Sequence, residues 1–248
     1  MRNFDPAKSF GPKAAATYDD HLRGDEAETV DFLATQARGG PVLELAIGTG
    51  RIGLPLAQRG LPVTGIEISE AMVAQLRRKP GGIEVPVTIG DFADVPVEGE
   101  FRLIFVVFNT IYNLLTQDDQ VRCFENVAKH LTSDGVFVLE AELPTDYLCI
   151  RNKQYVDAER VELDEVTLDV ARFDIATQIL DESHIRISEQ GITLSPIVTR
   201  YIWPSEMDLM ARIAGLLSEA KPETSKEAVD QNTYMLAERA RLLALTLR

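Results

Sequence analysis

Three carboxylates and a glycine-rich turn are the residues whose types and spacing could do chemistry in this chain. The turn lies in Val42-Leu43-Glu44-Leu45-Ala46-Ile47-Gly48-Thr49-Gly50-Arg51-Ile52-Gly53, where an apolar run ends in glycines and enters a helical pattern at Ile52, Leu54, Leu56 and Ala57. Gly48-Thr49-Gly50-Arg51-Ile52-Gly53 satisfies G-x-G-x-x-G, a spacing that lets backbone approach a bound nucleotide closely. It lacks the Gly-Lys-Ser or Gly-Lys-Thr of a phosphate-cradling Walker loop. Glu67, in Val63-Thr64-Gly65-Ile66-Glu67-Ile68-Ser69, falls at the end of an apolar run, where a carboxylate can accept both hydroxyls of a ribose. Asp91, in Gly90-Asp91-Phe92, falls past the next such run. Glu44 separates ligand classes: a carboxylate opposes a pyrophosphate and favours a cation. The plain alternative is a strand-end glutamate satisfied by local amides.

Those residues need a frame. Helical spacing over Asp25 to Ala37 stops at Gly39-Gly40-Pro41. Strand and helix patterns then alternate: strands over Val42–Ala46, Val63–Ile68, Val85–Ile89, Phe101–Phe108 and Val136–Glu142, with helices ending near Gly60 and spanning Glu70–Arg78 and Asp118–Leu131. Short apolar strands separated by helices imply an α/β fold, a Rossmann-like, mostly parallel sheet covered on both faces. Such sheets bind ligands beyond their carboxyl ends, where Glu44, Glu67 and Asp91 converge. After Pro144 the pattern changes. Val166–Phe173, Ile175–Ile187 and Ile192–Trp203 alternate and are β-branched, with a turn at Ser188-Glu189-Gln190-Gly191, which predicts an antiparallel insert after the fifth strand. Pro204 opens a helix from Ser205 to about Leu217. The expected organisation is a cofactor-binding core over 1–145, an antiparallel cap over 146–204 and a helical segment over 205–248, together one compact domain.

Composition narrows the partners. The formal charge is −14, from 25 basic and 39 acidic residues, so nucleic acid and anionic membrane are poor partners. The compact basic cluster Arg77-Arg78-Lys79 closes a helix and suits its negative dipole end. No apolar run approaches the ~20 residues of a membrane span, and the N-terminus lacks a signal-peptide core. Cys123 and Cys149 read as buried free thiols, and the expected compartment is the cytoplasm.

The joint pattern resembles the class I, Rossmann-like, S-adenosylmethionine-dependent methyltransferases of small-molecule type. Their first motif appears as Glu44-Leu45-Ala46-Ile47-Gly48-Thr49-Gly50, with Ala46 where the family has its first glycine, a mild departure in size. The likeness continues through Gly65 to Met72, Gly90-Asp91-Phe92-Ala93-Asp94, Phe105 to Thr110 and Leu131 to Phe137. S-adenosylmethionine carries an ammonium and a sulfonium and no phosphate, which agrees with Glu44. The resemblance implies that Glu44, Ala46 and Gly48, with Gly50 in the same turn, face the methionine part and that Glu67 holds the ribose hydroxyls. It further implies that Ile68 and Met72 pack on adenine, that Asp91 and the Phe92 amide read its edge, and that Asn109 lies beside the sulfonium. For Met72 and Phe92, plain core packing is an equal alternative.

On the acceptor side the candidates are Tyr18, which the resemblance implies closes over the cofactor, with Asn109 and Tyr112 as further catalytic candidates. Tyr112 and Asn113 follow the fourth strand, and Glu140 and Glu142 follow the fifth, all at the sheet's ligand edge. His184 and Arg200 read as solvated strand residues, and Trp203 as a packing anchor. His21, His130 and His184 are far apart, so no zinc spacing and no metal is expected. Neither a Tyr-x-x-x-Lys pair nor a G-x-S-x-G elbow occurs.

The family closes its sheet with two further strands near the C-terminus. Leu216 to Arg248 shows no such pattern; Leu236, Leu242, Leu243 and Leu247 suit a helix, and a homodimer contact is one expectation for this leucine-rich end. The expected function is methyl transfer from S-adenosylmethionine to a small-molecule nitrogen or oxygen. The rivals are a methyltransferase-like binding or interaction protein without activity, and a nicotinamide oxidoreductase.

Overall fold

The computed structural model describes residues 4–20, 22–142, 153–219 and 240–247. Its first strand, β1 (Val42–Leu45), is buried at every position, as a strand with helices on both faces must be. It is joined in parallel by β2 (Val63–Glu67), β3 (Val87–Ile89), β4 (Phe101–Val106) and β5 (Leu131–Glu142), in the spatial order β5-β4-β1-β2-β3. The chain therefore leaves β1 toward β2 on one side and returns to β4 on the other, which opens a crevice beyond the carboxyl ends of β1 and β4.

Among the described residues the α-helices are α1 (Pro6–Ser9), α2 (Pro12–Thr17), α3 (Glu26–Ala37), α4 (Gly53–Gln58), α5 (Glu70–Arg78), α6 (Gln117–His130) and α7 (Pro204–Ile213). Local chemistry starts the two long crossovers. The Ser69 hydroxyl accepts the Met72 amide to open α5, and Thr116 accepts the Asp119 amide to open α6. On α6, Gln120, Cys123, Phe124 and Val127 recur at helical spacing and are buried, with Phe124 edge-on to Phe137 of β5 at 5.5 Å. Cys123 is a buried free thiol, as expected, while Cys149 lies outside the described residues. Two apolar layers, one around Leu45, Ile104 and Phe124 and one around Val42, Leu56 and Phe105, cover the two faces of the sheet. Arg77 of the basic cluster donates to the carbonyls of Gly82, Ile83 and Val85, and so folds the turn after α5.

The insert is an antiparallel sheet in sequence order, β6 (Gln154–Val161), β7 (Glu165–Asp174), β8 (Ile179–Ser188) and β9 (Gly191–Arg200). Ser188 pairs with Gly191, so the turn falls where the sequence put it. Two points differ. Residues 175–178 form a turn, so β8 starts later than the apolar pattern at Ile175 suggested. β6 escaped the sequence because Asp157, Glu159 and Arg160 break its apolar alternation.

The C-terminal expectation is corrected. The helix α7 ends at Ile213, and two strands follow, β10 (Leu216–Glu219) and β11 (Ala240–Leu247). β11 runs antiparallel to β5 from Ala240↔Glu142 to Thr246↔Val136, and β10 pairs β11, giving seven strands. Leucine and alanine favour helix by propensity, but β5 would otherwise expose a row of unpaired backbone groups. That long-range demand overrides the local preference. Leu236 lies outside the described residues.

Arg200 is also corrected. Only 5% exposed, it is a buried hub and not a solvated strand residue. Its guanidinium donates to Gln120 of α6, to Gln178 at 2.8 Å and to Glu206 of α7 at 2.7 Å. Gln120 in turn donates to the Leu114 carbonyl at 2.9 Å. The insert is thereby docked on α6 and α7 by one satisfied polar network. Trp203 packs edge-on against Tyr201 at 6.3 Å, the anchor role expected of it.

Candidate active site

A cavity occupies the crevice at the strand-order switch. It is lined by the turn after β1 (Ala46, Gly48), the end of β2 (Glu67, Ile68), Met72 of α5, Asp91 and Phe92 after β3, and Thr110, Asn113 and Leu114 after β4. Phe10 and Tyr18 of the N-terminal segment complete the wall. The structure thus gathers Tyr18, Ala46, Gly48, Glu67, Ile68, Met72, Asp91 and Phe92 from the sequence candidates. No Lys or Arg is among the lining residues.

Gly48 and Gly50 have φ of +56° and +75°, a region that glycine enters freely. Ala46 stands at φ +58° between them and β1, so the departure from glycine there is a matter of backbone strain more than of size. Gly50 itself does not line the cavity. A Cβ at this position would lie 2.4 Å from Leu76 Cδ1, so the glycine lets the turn pack on α5.

Glu67 accepts the Gly48 amide at 2.9 Å and the Ser69 amide at 2.8 Å. Burial pushes its carboxyl above the usual range, and those amides oppose the rise. Glu44 sits one strand away, where Glu44 pairs with Gly65 two residues before Glu67. It is 4% exposed and lies behind the cavity wall, not on it. Burial raises its carboxyl well above the ordinary value, the negative charge of Glu67 adds to this, and only the Gly53 amide opposes it. One of its oxygens, Oε2, has no hydrogen-bond partner among the described residues. Glu67 and Asp91 on a wall without a basic side chain fit a bound cation and would resist a phosphate.

The N-terminal segment is pinned over this corner. Arg51 stacks on the Tyr18 ring with its guanidinium carbon 4.5 Å from the centroid and donates to the Tyr18 carbonyl at 2.6 Å. Thr49 donates to Asp19 at 2.7 Å, Lys79 pairs with the same carboxylate at 2.7 Å, and Ser69 donates to the Phe10 carbonyl at 2.6 Å. Burial first, and the nearby carboxylates after it, keep the Tyr18 hydroxyl protonated above its ordinary range despite Arg51.

Asn109 and Tyr112 are not among the lining residues. Asn109, at φ +60°, accepts the Glu142 amide at 2.6 Å through Oδ1. Tyr112 is buried, and its hydroxyl donates to the carbonyls of Glu142 and Ile202. Both tie the loop after β4 to β5. Glu140 lies within β5, not after it, and accepts the Phe108 amide at 3.1 Å and Arg23 at 2.9 Å. Sequence reasoning missed Phe10, Thr110 and Leu114 as lining residues. Thr110 and Leu114 adjoin the flagged positions, but Phe10 carried no signal beyond an aromatic before Gly11-Pro12.

The expectation of no metal set came from sequence spacing, yet Asp169, Glu182 and His184 bring ligand atoms within 4.8 Å of one another across β7 and β8. Burial, then the adjacent Asp169, pushes Glu182 up to about 7. His184 also pairs with Glu159 at 3.1 Å. His130 bonds the carbonyls of Asn126 and Val97, and His21 lies outside the described residues.

A seven-stranded sheet of this order with an acid-walled cavity at its switch point defines a methyltransferase fold, and the chain belongs to the S-adenosylmethionine-dependent methyltransferases. The sequence profile described as a methyltransferase domain matches residues 42–135. The structure of the CcbJ methyltransferase from Streptomyces caelestis is 31% identical, covers 98% of this chain and 99% of its own, and superposes with a TM-score of 0.86. The cypemycin N-terminal methyltransferase of a Streptomyces species is 27% identical over 72% of this chain and 73% of its own. A dTDP-4-amino-2,3,4,6-tetradeoxy-D-glucose N,N-dimethyltransferase from Saccharopolyspora spinosa is 36% identical over 47% of this chain and 46% of its own.

Proposed function

We propose that this methyltransferase acts on a small-molecule acceptor at an amine nitrogen. The observation that carries this reading is the cavity wall, which holds Glu67 and Asp91 and no basic side chain. Such a wall suits a cationic donor and an amine-bearing acceptor. Two similar proteins, the cypemycin N-terminal and the amino-sugar N,N-dimethyltransferases, are named for nitrogen methylation, which supports the same choice.

When bound, S-adenosylmethionine supplies an electrophilic methyl group on its sulfonium. Ala46 and Gly48 would face its methionine part, with the Glu44 carboxyl behind them holding the turn. Glu67 would accept the ribose hydroxyls, Ile68 and Met72 would pack on adenine, and Asp91 with the Phe92 amide would read its edge. Tyr18 and Phe10 close the mouth and exclude water. Thr110 and Asn113 are left to face the acceptor, Asn113 offering both an amide donor and a carbonyl acceptor. Alignment alone supplies ~7–11 kcal/mol of such a barrier, so the site needs no strong base. Asn109 and Tyr112 we assign to positioning the loop after β4.

The −14 charge disfavours nucleic acid and anionic membrane as partners, and the buried free thiol of Cys123 suits a reducing cytoplasm. No helix among the described residues is long and apolar enough to cross a membrane. The rival of a non-catalytic binding protein was motivated by a shortened sheet, and β10 and β11 complete that sheet.

Thermal unfolding tests the donor side: S-adenosylmethionine at ~100 times its Kd should stabilise by ~2.7 kcal/mol. A shift with NADH and none with S-adenosylmethionine would overturn the reading. Panels of small amines, alcohols and carboxylates, scored by mass for an added methyl group, test the acceptor side. Turnover confined to alcohols would end the nitrogen assignment.

A further inference from the structure

The turn after β4 stands in a conformation that its own residues do not favour. Phe108 and Asn109 both have φ of +60°, consecutive non-glycine residues in the left-handed region, and no glycine occurs between Val107 and Asn113. Backbone of this kind persists only where the surroundings over-determine it, and it gathers at active sites. The short helix that follows, Thr110–Asn113, brings Thr110 and Asn113 to the cavity wall.

Glu140 of β5 and Arg23, ahead of α3, hold this turn. Glu140 is 5% exposed; one oxygen accepts the Phe108 amide at 3.1 Å and the other accepts the Arg23 guanidinium at 2.9 Å. The same guanidinium lies over the Phe108 ring, 4.5 Å from its centroid. Backbone and side chain of Phe108 are thus held together. Arg23 is set in turn by Asp25, which accepts its guanidinium at 2.9 Å, and by Glu26, which accepts its amide at 2.8 Å. None of Arg23, Phe108 and Glu140 lines the cavity.

Stability alone is a weak reason for a buried ion pair, because desolvation offsets much of its attraction. Accepting a backbone amide and a guanidinium at once requires two acceptor oxygens, which a carboxylate has and a carboxamide lacks. We infer that Glu140 and Arg23 are positioning residues for methyl transfer, which keep the Phe108–Asn109 turn left-handed and so aim Thr110 and Asn113 at the acceptor. The inference rests on the reading of those two side chains as acceptor-facing. A positioning error of about 1 Å, caused away from the chemistry, can cost ~100-fold in rate. Glu67 and Asp91, on the donor side, follow from other strands of the sheet.

Kinetics of the full chain test this, with the amine of the panel above that is methylated fastest. Glu140→Gln and Arg23→Ala should each lower kcat ~10–100-fold, with the Kd of S-adenosylmethionine by calorimetry within ~3-fold of wild type. Arg23→Lys keeps the charge and should hold kcat within ~5-fold of wild type. Hydrogen exchange of the amides of residues 107–113 should accelerate in the first two variants. A purely structural ion pair would lower the melting temperature and leave kcat of the folded enzyme unchanged; that result for Arg23→Ala overturns the inference. Loss of S-adenosylmethionine affinity as large as the loss of kcat also overturns it, by assigning the pair to the donor site. Should the wild type methylate no amine, the nitrogen reading fails on its own. Exchange at residues 107–113 then decides the positioning role: faster exchange in Arg23→Ala supports it, and unchanged exchange ends it.

Discussion

Glu67 accepts the amide of Gly48 at 2.9 Å, so the carboxylate that ends β2 also holds the glycine turn that follows β1. One side chain both shapes the turn and puts negative charge on the cavity wall. Its second oxygen takes the Ser69 amide at 2.8 Å and steadies the start of α5.

Replacing Glu67 with Ala should therefore weaken S-adenosylmethionine binding by more than ~1 kcal/mol, the worth of a hydrogen bond to a charged group. Glu67→Gln should fall between the two, because it keeps the shape and one acceptor oxygen. Titration calorimetry reads both, and an unchanged affinity in Glu67→Ala would take this residue out of the cofactor site.

Glu44 predicts a dependence on pH. Its folded pKa is raised, chiefly by burial, so the stability gained from the neutral carboxyl is complete below the unfolded value of 4.5 and is lost as pH rises through the folded value. Glu44→Gln stays neutral throughout. Without ligand it should match the wild type near pH ~4 and then gain on it by up to ~1.4 kcal/mol per pH unit in urea unfolding. A stability difference independent of pH would show that the carboxyl ionises normally.

At Ala46 the backbone is the issue. With φ at +58°, Ala46→Gly should stabilise the ligand-free protein by up to ~1 kcal/mol, the left-handed penalty less the added chain entropy of glycine. Destabilisation in the same measurement would mean that the methyl group contributes more as packing than it costs as strain.

Arg51 holds Tyr18 by ring stacking and by its carbonyl, so Arg51→Ala should loosen the segment over 4–20 with little change in core stability. Hydrogen exchange there should accelerate, and S-adenosylmethionine should dissociate ~5–30-fold faster, for ~1–2 kcal/mol lost. Unaltered exchange would place the hold elsewhere, with Asp19 and Lys79.

The Arg200 hub carries the largest stability effect. Arg200→Ala takes the counter-charge from partly buried Glu206, which keeps the Gln117 and Gln178 donors, and should cost ~1–3 kcal/mol, whereas Arg200→Met with Glu206→Met should recover most of it. Chemical unfolding of both variants decides. A single variant close to wild type would mean that water replaces the guanidinium.

The corner built from Glu44, Gly48, Glu67 and Asp91 was legible because each signal there is local. A glycine at positive φ and a carboxylate at a strand end are dictated by the backbone within a few residues. Tyr112 was misplaced for a related reason: the loop after β4 could be located, but which of residues 109–114 turn toward the cavity depends on how Glu142 and Ile202 pack against it.

By itself the sequence determined the alternation of buried strands and capped helices, and with it the edge at which a ligand must sit, since periodicity and turn chemistry act over short stretches. Only the tertiary structure decided that leucine-rich Ala240–Leu247 is a strand, that Arg200 is a buried hub and that Phe10 reaches the cavity. Each of these depends on partners far away in the chain. An open edge of β5, a partly buried Glu206 beside Arg200 and an apolar cavity mouth exist only once the sheet has formed, and they override what the neighbouring residues prefer.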